Sequence, residues 1–232
     1  NLKTWDKGEG GFKTTSVTQA SGESYSDYGI IENSLIGETT TAQREVVEGI
    51  DIIAGRGWVI RGNTFENILS PDGSPAYAVF AKANSIDTII ENNIVKNGSV
   101  GISFGGGGSY TPVWRHGVTE YETQGGIIRN NIVYNMTDAG IYLNKAHNFK
   151  VYNNTVINVG PGTGAIEYRY PASSGDIRNN LTNAEIKLRD GASATVSNNI
   201  TDATDALFVN AAAGDYRLNY MAAAAIDQGE TL

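Results

Sequence analysis

The sequence predicts an all-β solenoid, a chain of stacked coils built from parallel strands, and three observations carry that prediction. One phrase recurs seven times: IIENSLIG (Ile30–Gly37), VIRGNTFEN (Val59–Asn67), IIENNIVKN (Ile89–Asn97), IIRNNIVYN (Ile127–Asn135), KVYNNTVIN (Lys150–Asn158), DIRNNLTN (Asp176–Asn183) and TVSNNITD (Thr195–Asp202). Within each copy β-branched residues dominate and alternate at period 2, a pattern that excludes helix. The second residue of the polar pair forms a column, Ser34, Asn63, Asn93, Asn131, Asn154, Asn180 and Asn199, at intervals of 29, 30, 38, 23, 26 and 19 residues. Repeats of this size stack with neighbouring strands about 4.8 Å apart, so each column residue lies over the next. An amide carries donors and an acceptor, so such a column satisfies itself when buried.

The phrase and its Asn column resemble the right-handed parallel β-helix proteins of the pectate-lyase-like superfamily, over nearly the whole chain. The resemblance implies a single-stranded right-handed parallel β-helix with an Asn ladder. About seven or eight coils, roughly 35 Å in length, form one domain over residues 1–232.

Composition narrows the setting. A chain of 232 residues supports one extended domain with a continuous core, and it holds no apolar run long enough to span a membrane. No signal peptide is visible and Asn1 is not a start methionine, which leaves room for a leader, a further domain or a tag. The absence of Cys excludes disulfides and thiol chemistry and fits either cytoplasm or exterior. A net charge of −8 argues against nucleic acid as partner and mildly against polyanionic sugars, unless a local basic strip overrides it.

Taken in order, residues 1–28 read as a partial coil, with GFKTT (Gly11–Thr15) as its first strand. No amphipathic helix precedes it, so the N-terminus is expected either to cut into a longer β-helix or to be capped by another segment or chain. Each later coil parses as three strands. The first strands are GIDII (Gly49–Ile53), AVFAK (Ala78–Lys82), GISFG (Gly101–Gly105), GIYLN (Gly140–Asn144), AIEYR (Ala165–Arg169) and EIKLR (Glu185–Arg189); the second ends at the ladder and the third follows it. On the second strand Ile31, Ile60, Ile90, Ile128, Val151, Ile177 and Val196 point in. Beside them Glu32, Arg61, Glu91 and Arg129 form an outward column of alternating sign, a cross-strand charge ladder. Two insertions interrupt the coils, Glu38–Glu48 and Gly105–Gly125. The second concentrates Tyr110, Trp114, Arg115, His116 and Tyr121, either a sugar-binding loop or a cover for the helix wall. The tail, Phe208–Leu232, resembles the ending of bacterial β-helix proteins in its Gly-Asp-Tyr-Arg-Leu phrase, small-residue run and Ile-Asp-x-Gly, and is expected to close the last coil.

Chemistry is expected on the first strand, whose outward residues look least like a ladder. One outward column holds Lys13, Asp51, Phe80, Ser103, Tyr142, Glu167 and Lys187; the next holds Thr15, Ile53, Lys82, Gly105, Asn144, Arg169 and Arg189. In the superfamily this face forms the groove that binds a polysaccharide lengthwise. A lyase of that type needs a cation, or Ca²⁺, against the uronate carboxylate, a base for the adjacent proton and an acid for the leaving oxygen. The candidates for catalysis are Tyr142, Lys145, Arg169 and His116. Those for substrate binding are Lys82, Trp114, Arg115, Asn144, Glu167, Lys187 and Arg189, with Arg169 and Arg189 forking to a carboxylate. The residues themselves call for no cofactor and no metal site, although the resemblance allows Ca²⁺.

A hydrolase needs paired carboxylates, and the columns offer only Asp51 and Glu167, read as three coils and roughly 14 Å apart, unless Glu120 or Glu122 completes the set. Gly105–Gly108 is no phosphate loop, because no Lys-Ser/Thr follows it. His116 and His147 are too isolated to suggest zinc. The Asn-x-Ser/Thr matches at Asn97, Asn135, Asn153, Asn180 and Asn199 belong to the coil phrase. The expected function is therefore an exported bacterial lyase acting on uronate-containing polysaccharide, secreted, at the cell surface or in the periplasm. The alternatives are a non-catalytic glycan-binding or adhesion module, an epimerase and a glycoside hydrolase.

Overall fold

Three parallel sheets run the length of the molecule in this computed structural model, which describes residues 3–5, 10–19, 22–39, 47–106 and 111–232. Most coils give one strand to each sheet, and two give the second sheet an extra short strand, Ser85–Ile86 and Thr123–Gln124. The first sheet stacks Gly10–Lys13, Glu48–Ile53, Tyr77–Lys82, Val100–Phe104, Ile141–Asn144, Ile166–Arg169 and Ile186–Arg189 in that order. The second holds the strands that end at the ladder, from Ile30–Glu32 to Ser193–Ser197, and the third those that follow it, from Lys3–Trp5 to Leu181–Thr182. The fold is a parallel β-helix. No α-helix occurs among the described residues, and no helix is long and apolar enough to cross a membrane.

Why these residues make coils is visible in the core. Ile60, Ile90, Ile128, Val151 and Ile177 lie side by side and are fully buried, together with Ile50, Ile102, Ile141, Phe65 and Val133 from the other two sheets. Burying a side chain of this size contributes about 1.5–3 kcal/mol. The ladder closes the corner between the second and third sheets. Asn93 Nδ2 donates to Asn131 Oδ1 at 3.0 Å, Asn131 to Asn154 at 3.0 Å, Asn154 to Asn180 at 3.0 Å and Asn180 to Asn199 at 2.9 Å. Each amide also donates to a core-facing carbonyl one coil back, as Asn131 does to Ile90 at 2.9 Å. The charge ladder is present too, with Arg61 on Glu32 and Arg129 on Glu91, both at 2.7 Å.

A second amide row accompanies the ladder in four of the seven phrases. Asn67, Asn97, Asn135 and Asn158 follow their ladder partners by four residues, all with φ between 55 and 58°. Asn135 donates to Asn97 at 3.1 Å, and Asn158 exchanges with Asn183, donating its backbone N–H at 2.9 Å and accepting from the Asn183 side chain at 3.0 Å. Asn tolerates the left-handed conformation that this corner requires, which is why these four copies carry Asn there.

Three expectations change. The tail does not close the last coil. Its hairpin, Phe208–Asn210 with Asp215–Leu218, packs Phe208 and Tyr216 on the outward residues Ile157, Leu181, Ile132 and Tyr134 of the third sheet. The core-facing Leu188 and Val196 of the last coil are consequently 55% and 42% exposed. Residues 1–28 supply Gly10–Lys13 as expected, and also a third-sheet strand, Lys3–Trp5, and an antiparallel hairpin, Val17–Gln19 with Gly22–Ser24. Of the two insertions, residues 40–46 and 107–110, the latter including Tyr110, lie outside the described residues; the remainder of the longer one covers the helix wall. There Trp114 packs with Ile53, Ala54 and Ala83.

Candidate functional site

The strand register brings Lys13, Asp51, Phe80, Ser103, Tyr142, Glu167 and Lys187 into one column, as the alternation requires. Lys82, Asn144, Arg169 and Arg189 belong to the column beside it. The face they share is divided between two ionic clusters.

Towards the N-terminus Lys13 Nζ lies 3.1 Å from Asp51 and 3.6 Å from Glu48, and Lys82 Nζ lies 3.2 and 3.8 Å from the same two carboxylates. Phe80 stacks on Tyr77 at 4.3 Å, and the Lys82 ammonium sits 4.5 Å above the Phe80 ring. Asp51 is completely buried, with ion pairs but no aligned hydrogen bond. Burial and the Asp51 charge push the Glu48 carboxyl above the usual carboxylate range. Burial works against the Lys13 ammonium, yet Asp51 and Glu48 hold its pKa above the ordinary value. Burial likewise pushes the Tyr77 phenol up to about 12. Lys82 is thus engaged from below and offers little to a ligand.

Towards the C-terminus the composition is similar and the geometry is not. Tyr142 Oη accepts from Arg169 Nη1 at 3.1 Å and from Asn144 Nδ2 at 3.1 Å. With two donors converging on its oxygen, the phenol keeps its own O–H for another partner. Arg169 Nε and Nη2 both lie 2.6 Å from Asp190. Burial opposes the guanidinium charge, but the bonds from Asp190 and Tyr142 raise its pKa further. Arg189 donates to Glu167, itself buried, at 2.9 Å. The predicted fork of Arg169 and Arg189 on a carboxylate is therefore not present; Asp190 and Glu167 occupy both. Asp190 went unread because it follows the strand, at the left-handed corner shared by Lys145 and Tyr170. A signal existed, since these corner residues form a column of their own.

Gly105 marks a close approach of backbones in this half. It stands where the other coils carry Lys82, Asn144 or Arg169, and a Cβ there would lie 1.9 Å from the Asn144 carbonyl oxygen. The same Cβ would lie 2.6 Å from the Glu122 side chain, so the coils pack tightly at this point and only Gly fits. Lys145 makes no ion pair among the described residues; its ammonium lies 5.9 Å from the Tyr170 ring. Glu122 is buried against Gly105, with its carboxylate accepting from the Ala83 N–H at 3.1 Å, and burial raises its pKa. Lys187 turns aside to the Gly162 carbonyl at 2.6 Å and to Glu185 at 3.4 Å.

The loop candidates lie elsewhere. Trp114 and Arg115 are 6% and 3% exposed, so neither presents a face to a sugar. Arg115 pairs with Asp27, donates to the Ala54 carbonyl at 2.9 Å and covers the Tyr25 ring. His116 bonds Glu23 at 2.6 Å and receives no residue of the Tyr142 group; its partners are those of the N-terminal hairpin. Tyr121 stacks on His147 at 4.4 Å.

Two chemical options lose support. Asp51 and Glu167 stand four strand steps apart rather than three, roughly 19 Å, too far for a carboxylate pair. Glu122 does not complete the set, being bonded to backbone. Ca²⁺ needs several open oxygen ligands. Glu48, Asp51, Glu167 and Asp190 already face Lys or Arg, so the residues present do not fit it. No group of three His, Cys, Asp or Glu among the described residues could hold a metal ion. In comparisons with known proteins the chain matches no family model, no curated protein and no solved structure.

Proposed function

We propose that the protein binds an acidic polysaccharide across the C-terminal half of the first-sheet face and cleaves it by β-elimination, as an exported lyase. The observation that carries the reading is the convergence of Arg169 and Asn144 on the Tyr142 oxygen beside the unpaired Lys145. Lys145 receives the uronate carboxylate. Tyr142, once its own O–H proton has passed to solvent, takes the proton from the carbon next to that carboxylate. The electron pair forms a carbon–carbon double bond, the bond to the glycosidic oxygen breaks, and Tyr142 returns the proton to that oxygen. Negative charge on the Tyr142 oxygen is met throughout by hydrogen bonds already in place.

One observation favours a second reading, a non-catalytic glycan-binding module: both arginines of the face are already neutralised. Incubation with pectate, alginate, hyaluronan and chondroitin separates the two. The lyase reading expects the ultraviolet absorbance of an unsaturated uronate to grow on at least one of them. Tyr142→Phe should slow that growth by about 10²–10⁴-fold with the melting temperature unchanged. Binding without any absorbance change would leave the module.

A further inference from the structure

A groove of about 500 Å³ opens at the turn between the second and third sheets, over the last three coils. Its floor is an outer row of asparagines, Asn153, Asn179 and Asn198, each one residue before a ladder amide and each held at φ between 51 and 58°. Its other wall is the tail, with Leu218 and Ala225 facing the amides and Gln228 at the rim. The tail is fastened to the same row. Asn179 donates to the Glu230 carbonyl at 2.9 Å and accepts the Glu230 N–H at 3.0 Å, while Asn198 donates to the Gln228 carbonyl at 2.7 Å. Those bonds leave the Asn198 Oδ1 and the whole Asn153 amide without a protein partner among the described residues.

No ionisable side chain lines this groove, in contrast to the first-sheet face. Its volume falls within the range of small-ligand sites. One wall offers amides, which donate and accept at once, and the other offers aliphatic carbon. A ligand that fits is uncharged, with paired hydrogen-bonding groups on one edge and C–H groups on the opposite face. A pyranose ring has that division: vicinal hydroxyls at its rim, each donor and acceptor, and an apolar face. An extended peptide is the weaker match, because the tail itself already holds the backbone-pairing positions at Asn179 and Asn198.

We propose that the groove is a second, separate site that takes a neutral oligosaccharide, and this stands whether or not the first-sheet face proves catalytic. Saturation-transfer NMR on the full chain with cellotriose, maltotriose, xylotriose and mannotriose tests it. At least one should bind, with an affinity of about 1 mM or tighter. Asn153→Gly, which keeps the left-handed backbone and removes the amide, should weaken that binding at least about tenfold. Ala225→Trp should abolish it by filling the groove, and both variants should keep the wild-type response to acidic polysaccharides. If Ala225→Trp lowers the melting temperature, Asn153→Gly alone decides. The proposal is overturned if no trisaccharide gives a signal at millimolar concentration. It also fails if binding survives Asn153→Gly, or if an uncharged Ala-Ser peptide binds in place of every sugar.

Discussion

The two ionic clusters on the first sheet use nearly the same residues and do opposite things. In each, two cations face two carboxylates beside an aromatic ring: Lys13 and Lys82 with Glu48 and Asp51 at one end, Arg169 and Arg189 with Glu167 and Asp190 at the other. In the first, both carboxylates are buried and Phe80 stacks on Tyr77 beside them, so that Lys13 alone reaches solvent widely. In the second, Arg189 and Asp190 are both partly exposed, and Tyr142 carries two donors on its oxygen. Charge on a strand face thus says little about purpose. Whether a neighbour covers it says more.

The comparison breaks most clearly in stability. Asp51→Ala leaves Lys13 and Lys82 around a single buried carboxylate, and removing one partner from a buried pair costs about 3–5 kcal/mol. Asp190 is partly exposed, so Asp190→Ala should cost about 1 kcal/mol or less. Urea unfolding of both variants measures the difference. Equal losses would mean that the C-terminal cluster is as structural as the other.

Such a contrast was only half legible in the sequence. Both outward columns follow from period-2 alternation and the repeat; the register reproduces the first in full and, of the second, Ile53 with Lys82 and Asn144 with Arg169 and Arg189. Pairing does not follow, because a long side chain chooses among partners above, below and around the corner. Arg169 chose Asp190, which lies beyond the strand and outside any column read by alternation. The tail failed for a related reason. Ile132, Tyr134, Ile157 and Leu181 are apolar at outward positions of the third strand, the mark of a covered face, but attention to the ladder hid them. Asn135 and Asn158 end their phrases, as Asn67 and Asn97 do, and their amide row is legible in a second alignment, four residues on.

Lys145 sharpens the functional side of the comparison at smaller magnitude. As the unpaired cation beside Tyr142, it should hold a uronate carboxylate at an exposed position. Lys145→Gln is then expected to weaken binding of an acidic polysaccharide by about three- to tenfold, in line with an exposed ion pair. The remaining affinity should depend less on salt. Lys82→Gln is the control from the N-terminal cluster: affinity should hold while stability falls. Should Lys145→Gln weaken neutral and acidic glycans alike, the residue acts through its contact with Tyr170 and not through charge.

The smallest effect lies at Glu122 and concerns pH. Burial raises the Glu122 carboxyl, and neither the Ala83 N–H nor the nearby Lys145 and Lys82 fully offsets it. A carboxyl whose pKa is higher folded than unfolded binds its proton more tightly in the folded state. Its stabilising contribution is complete below the unfolded value and is lost as pH rises through the folded one. At neutral pH the charged Glu122 is therefore a cost. Glu122→Gln keeps an acceptor for the Ala83 N–H and removes the charge, so it should raise the melting temperature at neutral pH by about 2 °C. The gain should shrink as pH falls and vanish once the wild-type carboxyl is protonated. Melting curves across the acid-to-neutral range decide it. A variant less stable at every pH would mean that Lys145 and Lys82 hold Glu122 charged, and that Glu122 belongs electrostatically to the site.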